Sequence, residues 1–164
     1  MISYKLNIHL FDLEGTQLKD RLEAECPELL PDEGNYQICI HEGDIFGSTM
    51  QRELDALGQV DYCVSALGDD ETSIRAAVWM RRHFCAKAGY TKPFICAYVQ
   101  SSAKKMAVSE LSENTRRKTS LSYDIVPFGC GGAYYGNESV CGICTGISGT
   151  WCAVTLFPSE PGIR

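Results

Sequence analysis

The chain has 164 residues, 45% hydrophobic and 22% charged, which suits one globular domain with a sizeable core. Its formal net charge of −6 argues against nucleic acid as a partner, because a phosphate-binding face needs a basic excess. No apolar run approaches the roughly 18 residues of a spanning helix, and the opening MISYKLNIHLFD lacks the apolar stretch of a signal peptide. No membrane insertion is therefore expected, and the expected compartment is cytoplasmic.

Residues 6–11, LNIHLF, alternate in polarity and end at Asp12, which predicts a strand with an acid at its carboxyl end. Residues 16–26 carry Leu18 and Leu22 at helical spacing, and Pro27 and Pro31 close that helix. Residues 36–40, YQICI, read as a second strand, followed by the turn His41-Glu42-Gly43-Asp44. Ser48 with Gln51 has the spacing of a capping box, and Met50, Leu54 and Leu57 mark one helix face. Residues 61–67 make a third strand that stops at Gly68. Asp69 and Asp70 then open a helix patterned by Ile74, Ala77, Val78 and Arg81 and running to about Phe84. Residues 94–99, FICAYV, predict a fourth strand, with Pro93 at its start. Residues 103–111 look helical, with Met106 and Leu111 as apolar positions, and residues 114–120, NTRRKTS, read as a basic loop. Residues 123–128 predict a short fifth strand, in which Pro127 demands an edge position or an early end.

Strands alternate with helices from residue 6 to 128, which calls for a parallel sheet with right-handed crossovers and helices on its faces. The expected class is α/β: an incomplete Rossmann-like, doubly wound parallel sheet over residues 1–128. An irregular glycine- and cysteine-rich extension follows over 129–164. The chain has nine cysteines, an odd number that rules out complete pairing within it. Cys39, Cys63 and Cys96 lie in strand-like runs, where cysteine acts as a small hydrophobe. Cys141-Gly142-Ile143-Cys144 is a single C-x-x-C. With Cys130 and Cys152 it has irregular separations, so neither a zinc site nor a redox pair is expected. Three histidines, His9, His41 and His83, are scattered along the chain without metal spacing.

A dinucleotide-binding domain opens with a strand and a G-x-G-x-x-G turn, and nothing before Leu6 supplies them. The chain reads as such a fold entered at its second strand. The absent first strand is central in the usual order, so its loss leaves a gap in the sheet. Either the chain is a fragment or another segment fills the slot, and residues 151–157 are the visible candidate.

HEGDIFGSTMQRELDALGQVDYCVSALGDDETSI, residues 41–74, resembles the regulatory nucleotide-binding domains of potassium-uptake and potassium-channel proteins, the TrkA-N or RCK group. The likeness lies in Gly43-Asp44, the helix over 54–57, Asp61, the apolar run to Leu67 and the turn Gly68-Asp69-Asp70-Glu71. It extends as a looser pattern over residues 6–128, with Asp12 matching the family's acid after the second strand. Two departures stand out: the glycine fingerprint is absent, and Ser73 stands where the family has Asn. The resemblance implies NAD or a related nucleotide as ligand and an attached domain or partner subunit as the object of regulation. A homo-oligomer is also compatible with it.

Asp12 can accept two hydrogen bonds from a ribose diol, or it can simply end a strand. Asp44 can accept from an adenine amino group, as the resemblance implies, or it can make an Asx turn. Leu67, Gly68 and Asp69 lie where ligands bind in open α/β sheets, beyond the strand ends, and Asp69 or Asp70 can cap the helix that follows. With Gly43, Ile45 and Ala66 these are the expected cofactor-binding residues; no catalytic residue or metal ligand is expected. The leading expectation is a non-catalytic nucleotide-binding or sensing module. The alternatives are a fragment of an NAD(P)-dependent oxidoreductase and an interaction module with a decayed nucleotide site.

Overall fold

The computed structural model describes residues 4–29, 36–86, 92–118, 125–129 and 150–158. Six strands form one sheet: β1 (Tyr4–Asp12), β2 (Tyr36–Glu42), β3 (Tyr62–Ala66), β4 (Phe94–Tyr98), β5 (Ile125–Phe128) and β6 (Thr150–Pro158). Four α-helices connect them: α1 (Gly15–Glu25), α2 (Ser48–Ala56), α3 (Asp70–Cys85) and α4 (Ser102–Lys118). The strand order is β2-β1-β6-β3-β4-β5. β1 pairs parallel with β2, β3 with β4, and β4 with β5.

The expected strands pair in parallel, and of the two readings of the central slot, a fragment or a slot filled by another segment, the second is observed; the direction of that segment is what departs from an all-parallel sheet. β6 fills that slot and runs antiparallel to both neighbours, with Phe11 level with Trp151 and Ala66 level with Thr150. The segment singled out from sequence thus enters the sheet, in the direction opposite to the strand it replaces. The fold is mixed α/β. β5 lies at the edge, as Pro127 requires, because proline cannot donate to a further strand.

Alternation sorts the side chains of β1. Ile8 and Leu10 pack with Ile38 and Ile40 against Leu18 and Leu22 of α1. Those leucines sit four residues apart and form the helix's buried stripe. Pro27 follows α1 and cannot continue it. Phe11 points to the other face and joins the main core. Its members include Met50 and Leu54 of α2, Ala77, Met80 and Phe84 of α3, and Ile95 and Ala97 of β4. On β3, β4 and β5 the face opposite this core leaves Tyr62, Phe94 and Val126 exposed by 45%, 46% and 39%.

Three local readings change. The Ser48–Gln51 capping box does not form: Gly47 is the N-cap of α2, and Gln51 N–H bonds its carbonyl at 3.1 Å. The basic run 114–118 is helical, not loop, because nothing from Ser102 to Lys118 is proline or glycine and its lysines and arginines favour helix. Met106 and Leu111 face solvent, and among the described side chains of α4 Val108 is the one that enters the core. No described helix is long and apolar enough to cross a membrane.

Candidate functional site

β1 to β4 all point their carboxyl ends at one edge of the sheet, where Asp12, Glu42, Ala66 and Tyr98 terminate them. The expected site residues reach this edge in two groups, with β6 between them. At roughly 5 Å per strand spacing, β1 and β3 stand about 10 Å apart.

The first group is Asp12, Gly43 and Asp44. Gly43 donates its N–H to the Asp12 carbonyl at 2.8 Å, which ties the ends of β1 and β2 together. Its φ of +153° suits glycine, and a Cβ there would lie 2.7 Å from the Met50 methyl. The Asp12 carboxylate accepts from Glu14 N–H at 2.8 Å, and that of Asp44 from Phe46 N–H at 3.0 Å. Both are Asx turns, the plain reading of these acids. Each bond uses one oxygen, and a carboxylate is an acceptor of the kind that a diol or an amino group donates to. Ile45 does not face the edge: its side chain is 6% exposed and packs in the main core.

The second group follows β3. Ala66 is buried and level with Thr150 of β6. Both backbone groups of Leu67 are taken by one side chain, since Ser73 Oγ accepts from Leu67 N–H and donates to Leu67 carbonyl, each at 2.9 Å. The residue that departs from the family pattern therefore holds the turn from inside, fully buried. Gly68 is exposed, and a Cβ added there would meet nothing within 4 Å. Asp69 is the N-cap of α3, as its position suggested: it accepts from Thr72 N–H at 2.9 Å and from the Thr72 hydroxyl at 2.7 Å. Those bonds hold its carboxyl below the ordinary carboxylate range.

Asp70 has a role no local pattern announced. Its two oxygens accept from Gln100 N–H at 2.7 Å and Ser101 N–H at 3.0 Å, across to the start of α4. The Gln100 bond is the first cause of its lowered pKa. Leu67, Gly68, Asp69 and Asp70 line a cleft of about 310 Å³ with Tyr98, Gln100 and Lys104. Asp12, Gly43 and Asp44 do not line it. Lys104 is the cation of this cleft, and sequence reading passed over it because a lone lysine early in a helix carries no motif.

Two of the scattered histidines also meet. His9 Nδ1 lies 3.0 Å from His41 Nε2, and His41 Nδ1 bonds Glu53 of α2. His41 stacks on Phe11, its register partner in β2–β1 pairing, with ring centroids 4.4 Å apart. Burial, and then the neighbouring His41, push the His9 pKa below 6.5. Sequence distance hid this cluster, because 32 residues separate the two rings. Among the described residues no group of three potential ligands converges on a metal position. Cys130, Cys141 and Cys144 lie outside the described residues, as does the side chain of Cys152.

Comparison with family models, with curated proteins and with solved structures finds no match to this chain.

Proposed function

We propose that this chain is a non-catalytic binding or sensing module of the TrkA-N or RCK kind, with a Rossmann-like sheet and an adenosine-containing nucleotide, NAD or a relative, as ligand. The supporting observation is the strand order β2-β1-β6-β3-β4-β5. With β6 in place of the usual first strand, it matches the dinucleotide-binding order 3-2-1-4-5-6 position by position. That order sets Asp12 and Asp44 on neighbouring strand ends, suited to ribose hydroxyls and adenine, and Leu67 to Asp69 across the central strand. Binding would act by favouring one arrangement of an attached domain or partner subunit.

Calorimetric titration with adenosine and its nucleotides tests the reading. Binding is expected to fall at least about tenfold, or 1.4 kcal/mol, in Asp12→Ala and to persist in Asp20→Ala, an exposed α1 position. Absence of heat with every adenosine ligand at millimolar concentration, in folded protein, would overturn it. The second reading, an interaction module with a decayed site, is favoured by the exposed Tyr62, Phe94 and Val126 on one sheet face. Exposed apolar residues grouped on one surface suit a protein contact. In that case Tyr62→Ser with Phe94→Ser changes association while nucleotide titrations stay silent.

A further inference from the structure

The two outermost strands of the sheet are closed in different ways. β5, at one side, has four residues and carries Pro127, which cannot donate to a further strand. β2, at the other side, has seven residues, YQICIHE, and among the described residues it pairs with β1 alone. It holds no proline, and before Glu42 no lysine, arginine or acid, the residues that usually blunt an outer strand. Among the described residues its backbone makes no backbone hydrogen bond apart from those to β1. Its side chains are also half-finished. Tyr36 to His41 are all half-buried, whereas β3 and β4 bury Cys63, Ser65, Ile95 and Ala97 fully. Ile38 and Ile40 lean on Leu18 and Leu22 of α1, and the described sheet has no strand beyond them.

We infer that β2 is the pairing strand for a second copy of this chain, the two joining antiparallel about a two-fold axis at Cys39 into one continuous sheet. A two-fold interface demands a strand that suits its own reverse. β2 meets that demand. With Cys39 opposite the partner's Cys39, Ile38 stands opposite the partner's Ile40, and Gln37 stands opposite the partner's His41. Tyr36 then stands opposite the partner's Glu42. Residues directly opposite in an antiparallel pair lie on one face. Apolar therefore meets apolar on the α1 face, and an amide meets an imidazole on the other. No like charges are opposed, and any other register leaves residues of β2 unpaired. Pairing extends the small cluster under α1 across the axis and gives the outward backbone groups of β2 partners.

Sedimentation of the full chain at rising micromolar concentration is expected to show a monomer–dimer equilibrium. Cys39→Lys sets two ammonium groups against each other at the axis and should weaken the dimer at least about tenfold, because like charges brought together in an interface are costly. Cys39→Ser should dimerise as the parent does. A second measurement needs no variant. Opposed residues in an antiparallel pair have Cα atoms about 4.5–5.5 Å apart, within disulfide range, so an added oxidant should link Cys39 to the partner's Cys39. Peptide mapping of the oxidised dimer reads that link, and amides of residues 36–42 should exchange more slowly as the dimer fills. A monomer at every concentration would overturn the inference, and slow exchange at 36–42 in that monomer would mean that another part of the chain covers β2. A dimer that Cys39→Lys leaves intact, or an oxidised dimer without the Cys39 link, would overturn it as well.

Discussion

On the inner face of the sheet, β1 and β2 present His9, Phe11, Cys39 and His41, whereas β3 and β4 present Cys63, Ser65, Ile95 and Ala97. The second set is fully buried, and its one hydroxyl is spent on the Ser73 carbonyl at 2.9 Å. The first set places two imidazoles and the Glu53 carboxylate in a hydrogen-bonded row, with the His41 side chain 20% exposed. Among the described residues the main core clusters fourteen buried residues on the α2–α3 side, against three around α1. One half of the sheet is therefore dry and settled by packing. The other carries His9, whose pKa is pushed below 6.5 by burial and then by His41.

The largest test of this contrast is core truncation. Leu54→Ala, at a side chain with no exposed surface, is expected to cost about 2–5 kcal/mol in denaturant unfolding. Leu18→Ala, in the three-residue cluster, is expected near the low end, about 2 kcal/mol. Equal losses would mean that the two cores are one energetic unit.

Next is Ser73→Ala, which strips both hydrogen bonds from Leu67 and leaves its backbone groups in a half-buried turn. The expected loss is about 1–3 kcal/mol, read from the same unfolding curves. A loss well under that range would show that water replaces the hydroxyl.

The pH response should separate the halves. His9 has a folded pKa below 6.5, so the unfolded chain binds more protons as pH falls through that value. Its contribution is fully present above about pH 6.5 and is lost on acidification towards the folded pKa. A proton added to His9 also puts a charge on a ring whose Nδ1 lies 3.0 Å from His41 Nε2. Stability measured between pH 7.5 and 5.5 should therefore decline, and His9→Gln should flatten that slope. Asp69 and Asp70, with lowered pKa values, act in a lower window: what they contribute is present above 3.8 and lost below it. A decline that persists in His9→Gln would assign the response elsewhere.

The smallest structural effect is expected at Gly68→Ala. The position is exposed and open, so stability should stay within about 0.5 kcal/mol. If the turn after β3 is the floor of the site, the same methyl group should weaken ligand binding several-fold. Unchanged binding would place the ligand away from this cleft.

Much of the fold was legible because its signals are local. Apolar runs ending in Asp12 and at Gly68 mark strands, Leu18 with Leu22 marks a helix face, and Asp69 marks a helix start. Each depends on residues within a turn or two. Helix α4 was legible only in part: composition suggested a loop at 114–118, and continuity of helix-forming residues overrode it.

What the chain determined by itself was most of the elements, the Asp69 cap of α3 and the edge at which its acids collect, since propensity, periodicity and turn chemistry act over neighbouring residues. Tertiary structure decided the rest. It set β6 antiparallel in the central slot, because strand pairing is satisfied in either direction and sequence alone carries no sign of which. It also brought His9 to His41, Asp70 to Gln100 and Glu42 to Thr16, partners 26 to 32 residues apart. No local pattern encodes such pairs, because they exist only once the sheet order has put neighbouring strand ends side by side.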